Sequence, residues 1–211
     1  MSSYLKKVLQ AYRRQVSTAT HQLVKKMSDS SALVSEQSLF SSSRLEGLSK
    51  WPEISQRLSA IGLIARPLQI NDYDHGYLDL LTQLTTVGEI SKAQFETRFK
   101  QMRAINEIED HYAIVVIVDK TAKRIVAAST LILEYKFIHE CALRARLEEV
   151  AVLDTYRGRR IGELIVQIIV ELSRESFRCY KLSLDCTDEL KTFYARNKFQ
   201  YGSNMLSIRF T

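Results

Sequence analysis

The amino-acid sequence predicts an α/β protein in which helices flank a mixed, mostly antiparallel and twisted sheet. Residues Tyr112–Val118 contain the run AIVVIV, whose β-branched side chains are typical of a buried strand. Residues Gly162–Ser176 place apolar side chains at the spacing of a helix that packs one face inward. A turn at Asp119–Lys123 joins two strands directly, whereas later strands are separated by helices. Hairpins and helical crossovers therefore occur in one sheet.

The first half of the sheet is predicted from short apolar runs. A strand is expected at Leu63–Arg66, and the chain returns after the hairpin as a long strand at Arg124–Tyr135. Two helices are expected between the first strand and the hairpin, at Tyr73–Leu84 and Ser91–Ile105. The second of them carries its aromatic residues on one face.

The second half alternates strand and helix. Apolar and β-branched runs predict the strands, and 3.6-residue periodicity predicts the helices. The expected order is strand Arg146–Leu153, helix Gly162–Ser176, strand Tyr180–Cys186, helix Asp188–Asn197 and a closing strand Asn204–Phe210.

Composition divides the chain into three parts. Residues 1–28 contain six Lys or Arg and no acid, and their apolar positions fit a basic amphipathic helix. Residues 29–60 are predicted to be a serine-rich linker with room for a short helix starting near Pro52, because nine serines fall within residues 28–50. Residues 61–211 are predicted to be the folded domain.

The net charge of +6 belongs to residues 1–28, since the other residues hold 24 bases and 24 acids. A balanced domain gives no electrostatic argument for nucleic-acid binding. Four interpretations of the basic segment stay open: a dispensable extension, peripheral attachment to an anionic endomembrane, binding of a partner, or organelle targeting.

Residue counts argue against a membrane-spanning protein, a disulfide-stabilised protein and a zinc protein. No apolar run reaches the roughly 18–20 residues of a membrane-spanning helix. Three cysteines in a long chain do not form a disulfide framework, and their spacing does not fit a zinc site. We therefore expect no metal and a reducing, cytoplasmic compartment.

The segment RGRRIG, Arg157–Gly162, lies between a predicted strand and a predicted helix. A basic turn with glycine at a helix start directs several backbone N–H groups at one point, where the helix dipole adds positive charge. Such a turn suits a pyrophosphate, although an ordinary basic helix start has the same composition. The three-glycine dinucleotide pattern and the P-loop pattern are both absent from this segment.

The segments LEEVAVLDTYRGRRIGELIV, YKLSLDC and FYARNKF resemble, in order and spacing, the GNAT family of acetyl-CoA-dependent N-acetyltransferases. From about Leu63 to Phe210 the chain resembles the eukaryotic glucosamine-6-phosphate N-acetyltransferase subfamily, most specifically in LTTVG and KFIH. This resemblance implies the GNAT fold for residues 61–211. It also implies acetyl-CoA as donor, the amine of glucosamine 6-phosphate as acceptor, direct attack in a ternary complex and a place in UDP-N-acetylglucosamine biosynthesis.

The resemblance also implies roles for individual residues. The expected catalytic residues are Tyr194, which would stabilise the departing thiolate, with Glu148 and Asp185. The expected cofactor residues are Val150, Ala151 and Val152 on a splayed strand, Arg157, Gly158, Arg159, Arg160, Ile161 and Gly162 in the turn, and Phe193 with Tyr194. The expected substrate residues are Thr85, Lys136, Phe137, Ile138, His139, Glu148, Glu149, Tyr180, Lys181 and Arg209. Arg209 would reach the sugar phosphate from the other subunit of a homodimer with shared sites.

Several of these residues have simpler explanations. Tyr194 fits a core position on an amphipathic helix, Asp185 fits a helix cap, and one of Glu148 and Glu149 would ordinarily face solvent because strand side chains alternate. The proton acceptor is open between Asp185, a backbone carbonyl and a chain of water molecules.

The sequence departs from the family pattern at four positions: Leu190, Ala145, Lys198 and Glu149. Two alternatives stay open. The first is an acetyltransferase acting on another amine, against which the segments KFIH and LTTVG argue. The second is a degenerate dimeric scaffold, which Leu190, Lys198 and Glu149 keep open.

Overall fold

The computed structural model describes residues 37–202, 205–208 and 210, so the helix expected at 1–28 lies outside the described residues. The compact unit begins at Ser38. Its sheet has the order β1-β2-β3-β4-β5, in which β1 to β4 are antiparallel neighbours and β5 runs parallel to β4. The predicted mixed, mostly antiparallel sheet is confirmed. The strands are β1 Leu63–Pro67, β2 Tyr112–Asp119, β3 Arg124–Tyr135, β4 Leu143–Val152 and β5 Lys181–Ser183.

Six right-handed α-helices accompany this sheet within the described residues, and a further helical turn at Ile138–Cys141 is mainly left-handed. The central one, α5, buries most of its side chains, as its apolar periodicity predicts. A capping box between Ser91 and Gln94 begins α4, because each side chain bonds the other residue's backbone N–H. The helices are α1 Ser43–Glu46, α2 Trp51–Ser59, α3 Tyr77–Leu81, α4 Lys92–Ile108, α5 Ile161–Glu171 and α6 Lys191–Ala195.

The folded unit starts earlier than the predicted boundary at residue 61. Leu39, Leu45 and Leu48 are buried, and so are Ile54 and Leu58 of α2. The serines between them form turns and helix starts rather than a solvated linker, since apolar residues at every third or fourth position dominate the packing. The linker prediction is therefore wrong for residues 38–60, and the helix expected near Pro52 is α2.

One ion pair and two hydrogen bonds hold this N-terminal segment against the end of α5 and the residues that follow it. The ammonium of Lys50 lies 2.7 Å from the carboxylate of Glu171, which is 2% exposed. Glu175 accepts hydrogen bonds from the Ser49 backbone N–H at 2.8 Å and from the Ser49 hydroxyl at 2.7 Å. Together with the Arg174 guanidinium, these donors lower the pKa of Glu175 to about 2.

Three further elements differ from the prediction. The helix expected at Tyr73–Leu84 is divided into a 3₁₀ turn, Ile70–Tyr73, and α3, because Gly76 adopts a left-handed conformation with φ 80°. β5 covers only three residues of the strand expected at Tyr180–Cys186. The described residues of the expected closing strand, 205–208 and 210, form no strand. A strand needs a partner ladder, and in this tail Leu206 and Phe210 are 95% and 90% exposed.

Among the described residues, no helix combines the length and the apolarity needed to cross a membrane.

Candidate active site

A bulge in β4 brings both predicted acids to one side of the sheet. The register between β3 and β4 shifts between Ala128 and Thr130, and Glu149 adopts a left-handed conformation with φ 54°. A bulge inserts an extra residue and interrupts the alternation of side chains. Glu148 and Glu149 consequently line the same cavity. Glu149 is nevertheless exposed, as expected for one of the two, whereas Glu148 is partly buried.

The carboxylate of Glu149 is bound within this site. The Thr130 hydroxyl donates a hydrogen bond of 2.6 Å to it. Tyr77, which is 5% exposed, lies beside the pair. Burial chiefly raises the pKa of Tyr77 well above its usual value, and the negative charge of Glu149 raises it further. The Tyr77 phenol is therefore neutral at physiological pH.

A ladder of charged side chains follows β4 away from the bulge. Arg144, Arg146 and Glu148 are spaced by two residues, so they lie on one face of the strand. The guanidinium of Arg146 donates hydrogen bonds to Glu148 and to Asp185, which follows β5. Asp185 and Glu148, both predicted as catalytic, are thus joined through a residue that the sequence reasoning did not single out.

The ladder continues to Glu134 on β3. Its carboxylate lies 2.5 Å from the Lys136 ammonium and 3.9 Å from the Arg144 guanidinium. The hydrogen bond from Lys136 chiefly lowers the pKa of Glu134, and the charge of Arg144 adds to the effect. Arg144 also donates to the Ser183 hydroxyl at 2.9 Å, while its buried Nε has no hydrogen-bond partner within the described residues. That N–H is a free donor beside the predicted sugar site.

A left-handed turn begins at His139, the last residue of the KFIH segment, at the edge of this ladder. His139, Glu140 and Cys141 have φ values of 51°, 58° and 58°. Consecutive non-glycine residues in this conformation are strained. The His139 ring lies 4.2 Å from the ring of Tyr180, so the turn is packed against the start of β5. Both residues were predicted to contact substrate, and the structure places them together.

β4 and β5 separate on the far side of the ladder. Their parallel pairing extends from Arg144 to Arg146 on β4, and β4 then continues to Val152 with no β5 partner among the described residues. One row of backbone N–H and C=O groups is therefore open along Val150–Val152. The strands thus separate where the resemblance implied, and binding of the pantetheine arm along Val150–Val152 stays a prediction.

The turn before α5 has the geometry of an anion site. Gly158 and Arg160 both adopt left-handed conformations, with φ 78° and 61°, and α5 begins at the next residue. Alternation of this kind directs successive backbone N–H groups into a concavity. A Cβ on Gly158 would meet no atom within 4 Å, so the space beside it is open. The turn fits a pyrophosphate.

Side-chain charge around the turn is partly neutralised. Arg157 pairs with Asp154 at 2.8 Å, and Arg160 pairs with Glu163 at 2.7 Å. The guanidinium of Arg159 lies 5.0 Å from the centroid of the Tyr156 ring. All three arginines are exposed. The backbone N–H groups therefore supply the fixed part of the site, and the arginines add adjustable positive charge.

Gly162 has a packing role in this structure. A Cβ at this position would lie 3.3 Å from Cζ of Phe193, so the glycine lets α6 pack closely against the start of α5. The Phe193 ring is 4.9 Å from the ring of Tyr194. Burial chiefly raises the pKa of Tyr194, and the nearby Cys186 contributes. The Tyr194 phenol therefore keeps its proton and is able to donate it.

Two predicted substrate residues stand apart from this arrangement. Thr85 is exposed in the loop after α3 and does not line the cavity. Arg209 lies outside the described residues, so its expected role stays a prediction.

Three other predicted substrate residues are exposed. Phe137 and Ile138 are 97% and 61% exposed. The remaining predicted substrate residue, Lys181, is exposed on β5 opposite Arg144.

Arg144 and Arg146 are the site residues that the sequence reasoning missed. Their signal was the alternation R-x-R-x-E in β4, which places three charged side chains on one face of a strand. The partners of Arg146 were not readable, because Asp185 is 39 positions away.

Comparison with known proteins assigns this architecture. Residues 77–199 match the family described as "Acetyltransferase (GNAT) family". The chain belongs to the GNAT acetyltransferase family. Acetyl-CoA is the donor that GNAT acetyltransferases use, and the splayed β4 with the turn before α5 fits its pantetheine and pyrophosphate parts.

Several eukaryotic GNAT members are similar to this chain. It is 47% identical over 148 residues to a probable glucosamine 6-phosphate N-acetyltransferase of Drosophila melanogaster; the match covers 69% of this chain and 65% of the fly protein. It is 35% identical to glucosamine 6-phosphate N-acetyltransferase 1 of Dictyostelium discoideum, over 70% of this chain and 90% of that protein. The crystal structure of the Arabidopsis thaliana glucosamine-6-phosphate N-acetyltransferase matches with TM-score 0.66 and 31% identity, over 71% of this chain and 99% of that chain.

The four positions at which the sequence was expected to depart from the family pattern all lie within the described residues. Lys198 adopts a left-handed conformation with φ 68°. Glu149 lies at the bulge in β4. Ala145 is fully buried and small, whereas Leu190 is 44% exposed at the start of α6.

Proposed function

We propose that this chain transfers the acetyl group of acetyl-CoA to the amine of glucosamine 6-phosphate. The products are N-acetylglucosamine 6-phosphate and CoA, on the route to UDP-N-acetylglucosamine. The observation that carries the proposal is the Glu148–Arg146–Asp185 bridge, which sets acids and cations at the point where β4 and β5 separate. Relatives named for this reaction, at up to 47% identity, support the acceptor.

The charged ladder suits an amino sugar phosphate. Lys136, Arg144 and Lys181 supply cations for phosphate oxygens. The Arg144 Nε, which has no hydrogen-bond partner among the described residues, supplies a donor. Glu148 supplies an acceptor for the sugar amine or a hydroxyl. The adjacent rings of His139 and Tyr180, tilted by 36° to each other, offer an apolar surface beside the sugar.

Acetyl-CoA supplies the thioester that the amine attacks. Open backbone N–H groups along Val150–Val152 polarise a carbonyl placed against them. Tyr194, held neutral by burial, donates a proton to the departing sulfur. Binding both substrates in one complex provides proximity without a covalent enzyme intermediate.

CoA release by the full chain tests this proposal. The acceptors are glucosamine 6-phosphate, glucosamine and glucosamine 1-phosphate, each with acetyl-CoA. Release with the 6-phosphate alone is expected, because the cations must meet a phosphate at that position. Equal release with a lysine peptide or a polyamine would favour another amine, and failure to bind acetyl-CoA at all would favour a scaffold.

We also propose a homodimer with shared active sites. Support comes from the apolar tail, in which Leu206, Ile208 and Phe210 are 95%, 80% and 90% exposed. Exposed apolar residues in series favour burial against a partner. In the proposed dimer this tail pairs with a second copy and Arg209 reaches the partner's sugar phosphate.

Light scattering after size exclusion tests the dimer. The full chain is expected to elute as a dimer, and a chain ending at Gly202 as a monomer. Mixing Arg209→Ala with Tyr194→Phe subunits then tests sharing, because hybrid dimers regain one intact site if each site uses both chains. No regained activity would contradict shared sites.

For residues 1–28 we propose peripheral attachment to an anionic membrane. Six cations without an acid support it. Co-sedimentation with phosphatidylserine vesicles is expected at low salt and is expected to disappear when residues 1–28 are deleted. Binding that survives the deletion would refute it.

A further inference from the structure

A cavity of about 610 Å³ lies between α4 and the sheet, next to the candidate active site. It is far larger than an acetyl group and falls within the range of about 300–1,000 Å³ that sites for small organic molecules have. Its walls are mainly apolar and come chiefly from the helices α3 and α4 and from the strands β2, β3 and β4. They include Phe95, Phe99, Met102, Ile114 and Ile132.

The cavity and the charged ladder occupy successive parts of one sheet face. Thr130 pairs with Glu148, Ile132 with Arg146 and Glu134 with Arg144, and directly paired residues share a face. Glu148 lies at the junction: the apolar cavity is on one side of it and the cations are on the other.

The apolar walls and the two carboxylates of the cavity make it unsuitable for the sugar phosphate. Sugar hydroxyls buried among aromatic and aliphatic side chains would lose hydrogen bonds to water without replacement. The carboxylates of Glu148 and Glu149 face the cavity and would repel a phosphate. The polar wall residues on α4, Gln94 and Arg98, are exposed and therefore sit at the rim. The interior of the cavity therefore fits an apolar ligand group.

The position of the cavity indicates which apolar group it receives. It reaches Thr130 and the bulge at Glu149, immediately before the open strand Val150–Val152 that fits the pantetheine arm. We propose that the cavity receives the hydrocarbon chain of acyl-CoA donors longer than acetyl-CoA, with hexanoyl-CoA as representative. Transfer of that acyl group to the amine rests on the proposed function, whereas binding of the chain does not.

The reaction is the same for any chain length. The amine nitrogen attacks the thioester carbonyl carbon, a C–N bond forms, the C–S bond breaks, and the nitrogen gives up one proton. The sulfur leaves as a thiolate and takes one proton. No other reactant is required, so the cavity changes only which donors bind.

Calorimetric titration of the full chain, without acceptor, tests binding. Hexanoyl-CoA is expected to bind at least about tenfold more tightly than acetyl-CoA, because four further methylenes become buried. Met102→Trp, which fills the cavity, is expected to bring the two affinities within about twofold and to leave acetyl-CoA binding unchanged. Ile105→Trp is the matched control: Ile105 is on the same helix, is 42% exposed and does not line the cavity.

Each other outcome has a defined meaning. Equal affinities in the unmodified chain, or a preference that survives Met102→Trp in a folded protein, would overturn the proposal. Thermal melting establishes folding, and Ile132→Phe from the opposite wall repeats the test. The oligomeric state of the protein is measured by light scattering at the same concentrations as the titrations. If a segment of a second copy fills the cavity, hexanoyl-CoA gains nothing and the proposal fails.

Mass spectrometry of products with glucosamine 6-phosphate separates this proposal from the proposed function. N-hexanoyl and N-acetyl products together support both. Acetyl transfer without tighter hexanoyl-CoA binding would support the proposed function and contradict the proposed acyl-chain site. Tighter hexanoyl-CoA binding that Met102→Trp abolishes, without any transfer to the sugar, would support the acyl-chain site and contradict the proposed acceptor.

Discussion

The guanidinium of Arg146 donates a hydrogen bond to the carboxylate of Asp185 across the point where β4 and β5 separate. The same guanidinium bonds Glu148, two residues along its own strand. Arg146 is 30% exposed and its two acids are 35% and 34% exposed, so the bridge is neither fully solvated nor fully buried. It fixes the orientation of both acids, and Arg146 acts as a positioning residue.

Replacing Arg146 is expected to impair substrate use more than folding. Arg146→Ala removes the charge-assisted hydrogen bonds that orient the two acids, which contribute about 1.5–3 kcal/mol. This loss corresponds to about a tenfold or larger fall in kcat/KM. Stability is expected to fall by only about 1 kcal/mol, since the pairs are partly exposed. Steady-state kinetics and thermal melting measure the two effects. Arg146→Lys is expected to restore part of the activity, and equal losses in Lys and Ala variants of normal stability would contradict positioning by charge.

Tyr194→Phe is expected to lower kcat about 100-fold, the scale of one proton transfer. KM values for both substrates are expected to stay within about twofold, because the hydroxyl acts mainly as the thiolate leaves. Burial raises the pKa of Tyr194, so the phenol stays protonated above its usual titration range. Activity that depends on it is therefore expected to persist through about pH 9–10. An alkaline loss below pH 9 that disappears in Tyr194→Phe would refute this role.

Two positions with left-handed backbones are expected to prefer glycine. Arg160 and Lys198 have φ 61° and 68°. Glycine at either position removes backbone strain of about 1–2 kcal/mol. Glycine also gives the unfolded chain more freedom, which lowers the stability of the folded state by about 0.5–1 kcal/mol. Arg160→Gly and Lys198→Gly are therefore expected to be neutral or slightly stabilising, whereas valine at either position is expected to cost about 1–2 kcal/mol. Chemical denaturation measures the differences, and a stabilising valine would contradict the backbone assignment.

Acid stability is expected to depend on Glu175. The Ser49 backbone N–H, the Ser49 hydroxyl and Arg174 lower its pKa to about 2 from the usual 4.5. A lowered folded-state pKa contributes stability that is complete above 4.5 and is lost as the pH falls through about 2. Glu175→Gln is expected to lower the melting temperature at pH 7 and to match the unmodified chain near pH 2. Glu46→Gln, an exposed acid of α1, is the control, and a loss that is the same at both pH values would contradict the linkage.

Local sequence patterns were sufficient for most of the fold. β-Branched runs gave the bounds of β2 and β3 closely, because a strand buried in a sheet is apolar along its whole length. Apolar periodicity located α4 and α5. The segment 38–60 was misassigned, because its serines dominate the composition while its leucines, spaced for burial, determine the packing. The tail strand was predicted from pattern alone, although a strand also requires a partner.

The sequence by itself determined the fold class, the GNAT resemblance and the order of the site segments. These depend on interactions between residues close in the chain and on motif order. Only the tertiary structure decided that Arg146 joins Glu148 to Asp185, that a bulge turns Glu149 toward Glu148, and that an apolar cavity ends at this pair. Each of these depends on strand register and on side chains brought together from distant positions, which local pattern does not encode.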